Sequence, residues 1–420
     1  MLRAISDDGT AAAEALPDRV FEFCRSPQSF LLNLSRTEGP IARFRLNSEL
    51  FAGVGDPDAV HAVLNGSMED FEKGELLDLV EAVFGESIFT SDGPNWTILH
   101  QVMSPLFSPN RVNALTPVVH SIVQRHVERW TRCIEAGESL DLLTEAKGLA
   151  FDVVARGLLG IDDEPAANRL FDVLQRGDRV EGVRLKYLGK RFPDIRSHFH
   201  RSSLPDEINC AAYEIAHKRI TVWAQSGAES EDLIGSAMST RFFRNLPDEQ
   251  KPRFIRDLLA SMLSAGYVTT GESIFWSLFL LARHPAAQER ARQEVAAGAL
   301  PWISAVINET LRLYPSVWFV GRIVRRPVQL GGITLAAGTR LFCSPYVLHR
   351  TAALWPDPDE FRPERFLAPA EIAPRSYIPF GSGVRRCIGR GLALMELSAV
   401  LSEVVSRFDL HLDDDRPVTL

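Results

Sequence analysis

The ten residues from Phe380 to Gly389, Phe-Gly-Ser-Gly-Val-Arg-Arg-Cys-Ile-Gly, constrain this 420-residue chain more than any other stretch. They present one cysteine, Cys387, on a glycine-rich loop that feeds the helix-forming run from Arg390 to Leu397. Gly381, Gly383 and Gly389 admit turn dihedrals closed to other residues and let the backbone pass close to a flat macrocycle. Amides and dipole at a helix start lower the pKa of a nearby thiol, and the thiolate is the form that binds iron. The plain alternative is a thiol buried in the core, the usual situation of a free cysteine.

Spacing separates the two readings. An aromatic stands seven residues before the cysteine, glycines stand four before and two after it, and an arginine stands two before. This constellation resembles the haem-ligand signature of the cytochrome P450 family of thiolate monooxygenases and matches it at every defining position. The resemblance implies a mainly α fold with a small β subdomain, haem b (iron protoporphyrin IX) held by Cys387 as metal ligand, and cofactor contacts from Phe380, Gly381, Arg385 and Gly389.

A chain of this length ordinarily holds two or three domains, yet no Pro/Gly/Ser linker, repeat or low-complexity tract divides it, so one domain over residues 1–420 is expected. Hydrophobic content of 45% with 24% charged residues is that of a soluble globular protein able to enclose a cofactor. No apolar segment follows Met1, so neither a signal peptide nor an anchor is expected, and the expected location is the cytoplasm. Cys24, Cys133, Cys210, Cys343 and Cys387 are scattered, with no close pair to hold zinc or form a redox dithiol. A net charge of −8 argues against general nucleic-acid binding. From Leu258 to Ala282 the only charge is Glu272, but Ser261, Ser264, Thr269, Thr270, Ser273 and Ser277 make the stretch too polar for a lone membrane span. It reads as a central buried helix.

Helical periodicity with stop signals covers 94–107, 110–134, 140–159, 164–180, 205–226, 252–284, 285–297, 302–314 and 388–408. Strand-like pieces are short, at 41–46, 51–54, 321–324, 328–330 and 340–343. Trp355 to Phe366, rich in proline, reads as an irregular loop.

Glu309 and Arg312 stand three apart on one helix face and can form an ion pair, which on a surface contributes little. In the resembled family such a Glu-x-x-Arg joins an arginine from a Pro-Glu-Arg-Phe loop, here Arg365, in a buried triad that fixes the loop carrying the cysteine. Glycine in a helix centre costs about 1 kcal/mol relative to alanine, so Gly266 needs compensation. The resemblance makes Gly266 the residue that leaves room for oxygen beside Ala265, with Thr269 assisting oxygen activation and proton delivery. The alternative for Thr269 is a hydroxyl bonded back to a carbonyl one turn earlier. The family's usual acid before this threonine is replaced by Val268, so Glu272, a substrate carboxylate or a water chain would have to serve, or the chemistry differs.

Burying two haem propionates demands cations or strong donors. Arg385 and Arg322 match family propionate partners, and Trp96 with His100 matches its Trp-x-x-x-Arg pair with histidine in place of arginine. Substrate contacts implied by the resemblance are Ile88, Phe89, Ala265, Val268, Val317, Trp318 and Phe319, and less surely Tyr267, with core packing as the alternative for each. Their apolar and aromatic character suits a hydrophobic substrate.

Between Arg176 and Arg201 eight basic residues face three acidic ones, which would suit an anionic substrate or an acidic carrier protein bearing it. Family members usually continue past a segment like 416–420 into a final hairpin, and the connection between the helices at 285–297 and 302–314 is unusually short. The expected activity is a biosynthetic monooxygenation fed by a ferredoxin or flavodoxin with its reductase. Two rivals stand beside it: peroxygenase, nitration, coupling or isomerisation chemistry, and a non-catalytic haem-binding recruitment module.

Overall fold

The computed structural model describes residues 16–74, 81, 84–178, 204–226 and 232–412. Two short helices, α1 (Val20–Arg25) and α2 (Pro27–Glu38), lead into a hairpin of β1 (Ile41–Leu46) and β2 (Glu49–Val54). Asn47 and Ser48 close it with φ of 50° and 69°, the left-handed pair that suits strand twist in a two-residue turn. Helix α3 (Pro57–Asn65) and strand β3 (Phe71–Lys73) follow. The helical body comprises α4 (Gly93–Met103), α5 (Pro109–Ala114), α6 (Thr116–Glu135), α7 (Leu142–Asp152), α8 (Glu164–Asp178), α9 (Leu204–Ser226), α10 (Leu233–Met238) and α11 (Arg241–Asn245). It continues through α12 (Lys251–Arg283), α13 (Pro285–Ala296) and α14 (Pro301–Leu313). Strands β4 (Val320–Val324), β5 (Val328–Leu330), β6 (Ile333–Leu335) and β7 (Arg340–Cys343), then α15 (Pro345–Leu348) and α16 (Arg390–Arg407), complete the described chain.

The expected helices are present, and the breaks within them have local causes. The 94–107 segment turns 3₁₀ at Ser104–Phe107, where Pro105 denies the ladder a donor. The 140–159 segment passes into a π-helical turn at Val153–Leu158. Helices α1, α2, α3, α10, α11 and α15 and strands β3 and β6 were not anticipated. No helix among the described residues is long and apolar enough to cross a membrane, and the five cysteines are free.

The 33-residue α12 is the axis of the helical body because its middle is apolar on nearly every side. Helix α7 and its π turn lie against it closely enough to dictate two glycines. A Cβ on Gly266 would stand 2.5 Å from Val154 Cγ2, and one on Gly271 would stand 2.7 Å from Lys147 Cα. Close helix approach thus offsets the propensity cost at Gly266. Gly266→Ala should lower the stability of the haem-loaded protein by roughly 1–3 kcal/mol through overpacking, measured by denaturant unfolding, and Val154→Ala added to it should restore much of the loss. Between the two glycines Tyr267 is fully buried, its ring centroid 6.2 Å from Phe151 and 6.0 Å from Phe171. It belongs to the core, which corrects the expectation that it reaches substrate.

Five strands form one sheet in the order β1-β2-β7-β4-β3, with β2 and β7 parallel and the other neighbours antiparallel. Phe23, Phe44, Phe51 and Phe342 pack one face of it, the Phe51 and Phe342 centroids lying 5.2 Å apart. On β3 the register sets Lys73 directly opposite Arg322 of β4.

Arg312 ties the end of α14 to the irregular loop. It is fully buried and its five N–H groups all donate: Nε and Nη2 to the two Glu309 oxygens at 2.7 and 2.9 Å, Nη1 to the carbonyls of His349 and Pro358 at 2.8 and 2.6 Å, and Nη2 to that of Glu360 at 3.0 Å. Arg365 approaches Glu309 at 3.4 Å but donates its hydrogen bond to the Asp357 carbonyl at 2.8 Å. The backbone N–H of Arg362 reaches Glu309 at 2.8 Å. The expected triad is therefore chiefly a pair clamped by backbone, and it holds the 357–362 loop.

The link to the cysteine loop runs through other side chains. His349 Nε2 accepts from the Ile378 N–H at 2.9 Å, and Nδ1 lies 3.2 Å from the Arg312 carbonyl. Tyr377 donates to the Asn308 carbonyl at 2.9 Å.

Candidate haem site

The cysteine loop is shaped by two of its three glycines. Gly381 and Gly383 have φ of 72° and 76°, and a Cβ on Gly383 would sit 2.4 Å from the Leu64 carbonyl oxygen. The loop therefore lies on the end of α3, where Asn65 also donates to Ser382 Oγ at 3.1 Å. Gly389 has ordinary backbone, with φ of −81°, as the residue preceding α16. The Cys387 N–H donates to the Phe380 carbonyl at 2.9 Å, closing the loop on itself. Burial pushes the Cys387 thiol up, while the N–H groups of Gly389 and Arg390 aim at the sulfur and oppose that rise. The side chain is open on one side. A metal ion is what removes the proton from a thiol so placed.

Beside this loop, cations gather. Arg385 pairs with Asp92 and lies 5.4 Å above the Trp96 ring, whose centroid is 4.7 Å from that of His100. Arg322 is buried and donates to the Gly321 carbonyl at 2.8 Å. Lys73 donates through Nζ to the carbonyls of Ile88 and Phe89, each at 3.0 Å, and through its backbone N–H to Asp92 at 2.8 Å. Burial, reinforced by Arg385 and Arg322 and opposed by Asp92, pushes the Lys73 ammonium down to about 7. Burial would raise the Asp92 carboxyl, but the N–H groups of Lys73 and Gly93 and the Arg385 charge outweigh it and hold it low.

Arg385, Arg322 and Lys73 thus gather around one carboxylate, and Lys73 stands directly opposite Arg322 across the strands, where a second full positive charge would be destabilising. Arg385 Nη1 is buried with no hydrogen-bond partner. The chemistry of this donor set fits two carboxylates such as the haem propionates. Lys73 was missed at the level of sequence. Its proximity to Arg322 and Arg385 arises from pairing across some 250 to 310 residues, and no local pattern in the Phe-Glu-Lys strand announces it.

On α12, Ala265 and Thr269 form an open face one turn apart. The Thr269 hydroxyl donates to the Ala265 carbonyl at 2.7 Å. Val268 is half-buried against the main core. Of the expected substrate residues, Ile88 also packs on that core, and Phe89 and Val317 are 48% and 47% exposed. Trp318 and Phe319 pack instead on the aromatic cluster under the sheet, with the Phe319 and Phe342 centroids 4.8 Å apart. The segment entering α4 is fastened at Gly85, whose φ is 74° and where a Cβ would overlap Asp257 of α12. Of the basic segment, Arg176 pairs with Glu207, and residues 179–203 lie outside the described residues. The terminal segment 416–420 also lies outside them.

A helical body with a small sheet, a cysteine facing amides at a helix start, and a buried cation cluster beside it define a haem-thiolate protein. The family model of cytochrome P450 matches residues 19–420, and the chain belongs to that family. It is accordingly a monooxygenase-type oxidoreductase with haem as cofactor, of a kind that generally needs a redox partner. A Mycobacterium tuberculosis relative bearing the name cytochrome P450 137 is 28% identical over 397 residues, covering 92% of this chain and 80% of that protein. Among solved structures, the cytochrome P450 CYP102L1 superposes with a TM-score of 0.80 at 21% identity, covering 94% of this chain and 90% of that one. CYP175A1 from Thermus thermophillus gives 0.71 at 24% identity, covering 98% and 94%.

Proposed function

We propose that this enzyme oxidises a hydrophobic, aromatic-tolerant small molecule, using electrons delivered by a separate ferredoxin or flavodoxin with its reductase. Cys387 would supply the thiolate that holds the haem iron. Lys73, Arg322, Arg385, Trp96 and His100 would hold the two haem propionates, with Phe380, Gly381 and Gly389 shaping the loop on the thiolate side. The observation that carries it is the Cys387 sulfur facing the amides of Gly389 and Arg390. When bound, haem supplies the iron at which dioxygen is activated, with the thiolate donating electron density.

The protein's own residues bind, orient and exclude. Ala265 and Thr269 present the open face of α12, and Thr269 keeps two oxygen lone pairs available because its proton is given to Ala265. Ile88, Phe89, Val268 and Val317 supply apolar surface, and Trp318 and Phe319 support the segment from behind. The basic stretch from Arg176 to Arg201 suits an anionic substrate or one borne by an acidic carrier.

Val268 favours a second reading. No carboxylate stands before Thr269, so the same site supports peroxide-driven or other oxygen-sparing chemistry. Turnover with reduced ferredoxin and dioxygen against turnover with hydrogen peroxide separates the two. Cys387→Ser should abolish the thiolate-type carbon monoxide band of the reduced protein, and a spectrum unchanged by that substitution overturns both.

A further inference from the structure

Two hydroxyls from different parts of the fold converge on a single backbone carbonyl of α12. Ser273 Oγ, one turn on, donates to the Thr269 carbonyl at 2.8 Å, and Ser316 Oγ donates to the same oxygen at 3.0 Å. The two hydroxyl oxygens lie 3.3 Å apart. Ser277 continues the ladder by donating to the Ser273 carbonyl at 2.7 Å. Serine and threonine in helices commonly bond back within their own helix. Ser316 is different, because it belongs to the connection between α14 and β4.

That connection is short and anchored. The Tyr314 N–H closes α14 on Thr310 at 2.7 Å, Pro315 is buried, and the Trp318 carbonyl accepts from Ser344 Oγ at 2.7 Å. Ser316 thus stands between a fixed helix end and a fixed strand entry, next to Val317, which is 47% exposed. Within α12 this carbonyl also takes the helical N–H of Ser273, so the hydroxyls share its remaining acceptor capacity. Donors from two elements hold the Thr269 peptide in a way that a helix alone does not.

We infer that Ser316, assisted by Ser273, is a positioning residue. It fixes the Thr269 peptide, and with it the direction of the Thr269 side chain, and it makes α12 register movement of the 316–319 segment. The inference rests on the reading of Thr269 as a residue facing the iron-bound ligand. It assigns Ser316 no contact with substrate or cofactor.

The test uses the haem-loaded protein in its diamagnetic reduced carbon monoxide form, so that carbon monoxide is the probe and no substrate is required. Thr269-Thr270 is the only Thr-Thr pair in the chain. Carbonyl-¹³C-threonine with ¹⁵N-threonine therefore gives one correlation, from the Thr269 carbonyl to the Thr270 N–H. Ser316→Ala should move that carbonyl resonance upfield and shift or broaden the infrared C–O stretch of the bound probe. Ser316→Thr, which keeps the hydroxyl, should restore both. An unmoved carbonyl in Ser316→Ala overturns the inference, as does a C–O band altered by Thr269→Ala but not by Ser316→Ala. If Thr269→Ala itself leaves the C–O band in place, the reading of Thr269 fails and the inference fails with it.

Discussion

Arg312→Lys is expected to prevent accumulation of folded, haem-loaded protein, although the charge is kept. Lysine offers three donors on one nitrogen, where five are spread over a plane and each meets an acceptor, three of them fully buried. Glu309 would lose its two-pronged partner, and buried carbonyls of the 357–362 loop would be left unpaired. Breaking a buried pair of this kind costs about 3–5 kcal/mol, comparable to a large part of a protein's net stability. Arg365→Lys is expected to be much milder, because Arg365 approaches Glu309 only at 3.4 Å. The check is the yield of soluble protein together with the haem-to-protein ratio on purification, and equal losses in the two variants would contradict this ranking.

Mild acid should loosen the protein through His349. Its imidazole is fully buried, and burial together with the Arg312 charge pushes its pKa down to about 3 from an ordinary 6.5, so it is neutral in the fold. The neutral ring is needed, since Nε2 must accept from Ile378. An unfolded chain takes up the proton below pH 6.5. Its contribution is therefore complete above that value and falls as pH drops toward 3, at up to about 1.4 kcal/mol per pH unit. Urea unfolding at pH 7.0 and 5.5 should show the loss, above the range where most carboxylates titrate. His349→Gln should be less stable at pH 7.0 but show a flatter dependence, and a slope equal to that of the unsubstituted protein would rule His349 out.

The long elements were legible in the sequence because many residues vote for them. Helices α12 and α16 differ by no more than two residues at either end from the expected 252–284 and 388–408. The cysteine loop was legible because its glycines and Cys387 are local. What could not be read was set by distant pairing. Lys73 acquires its role only when β3 meets β4. The Glu309–Arg312 pair was legible from its spacing, but the carbonyls that also hold Arg312 are possessed by every residue, and no side-chain pattern announces them. Gly266 was given a reason by the resemblance, and the close approach of Val154 gives it another that no local pattern announces. Tyr267 was set beside the substrate residues less surely than its neighbours, with core packing as the alternative, and one step along a helix turns a side chain by about 100°.

Strand β3 is only three residues long and hangs on the margin of its sheet. Its lysine also grips the carbonyls of Ile88 and Phe89, and its backbone meets Asp92. Lys73 thus ties the end of β3 directly to residues 88, 89 and 92. A group bearing two carboxylates that bound against Lys73, Arg322 and Arg385 would be expected to strengthen this tie through the linkage of binding to local stability, and high ionic strength to weaken that binding.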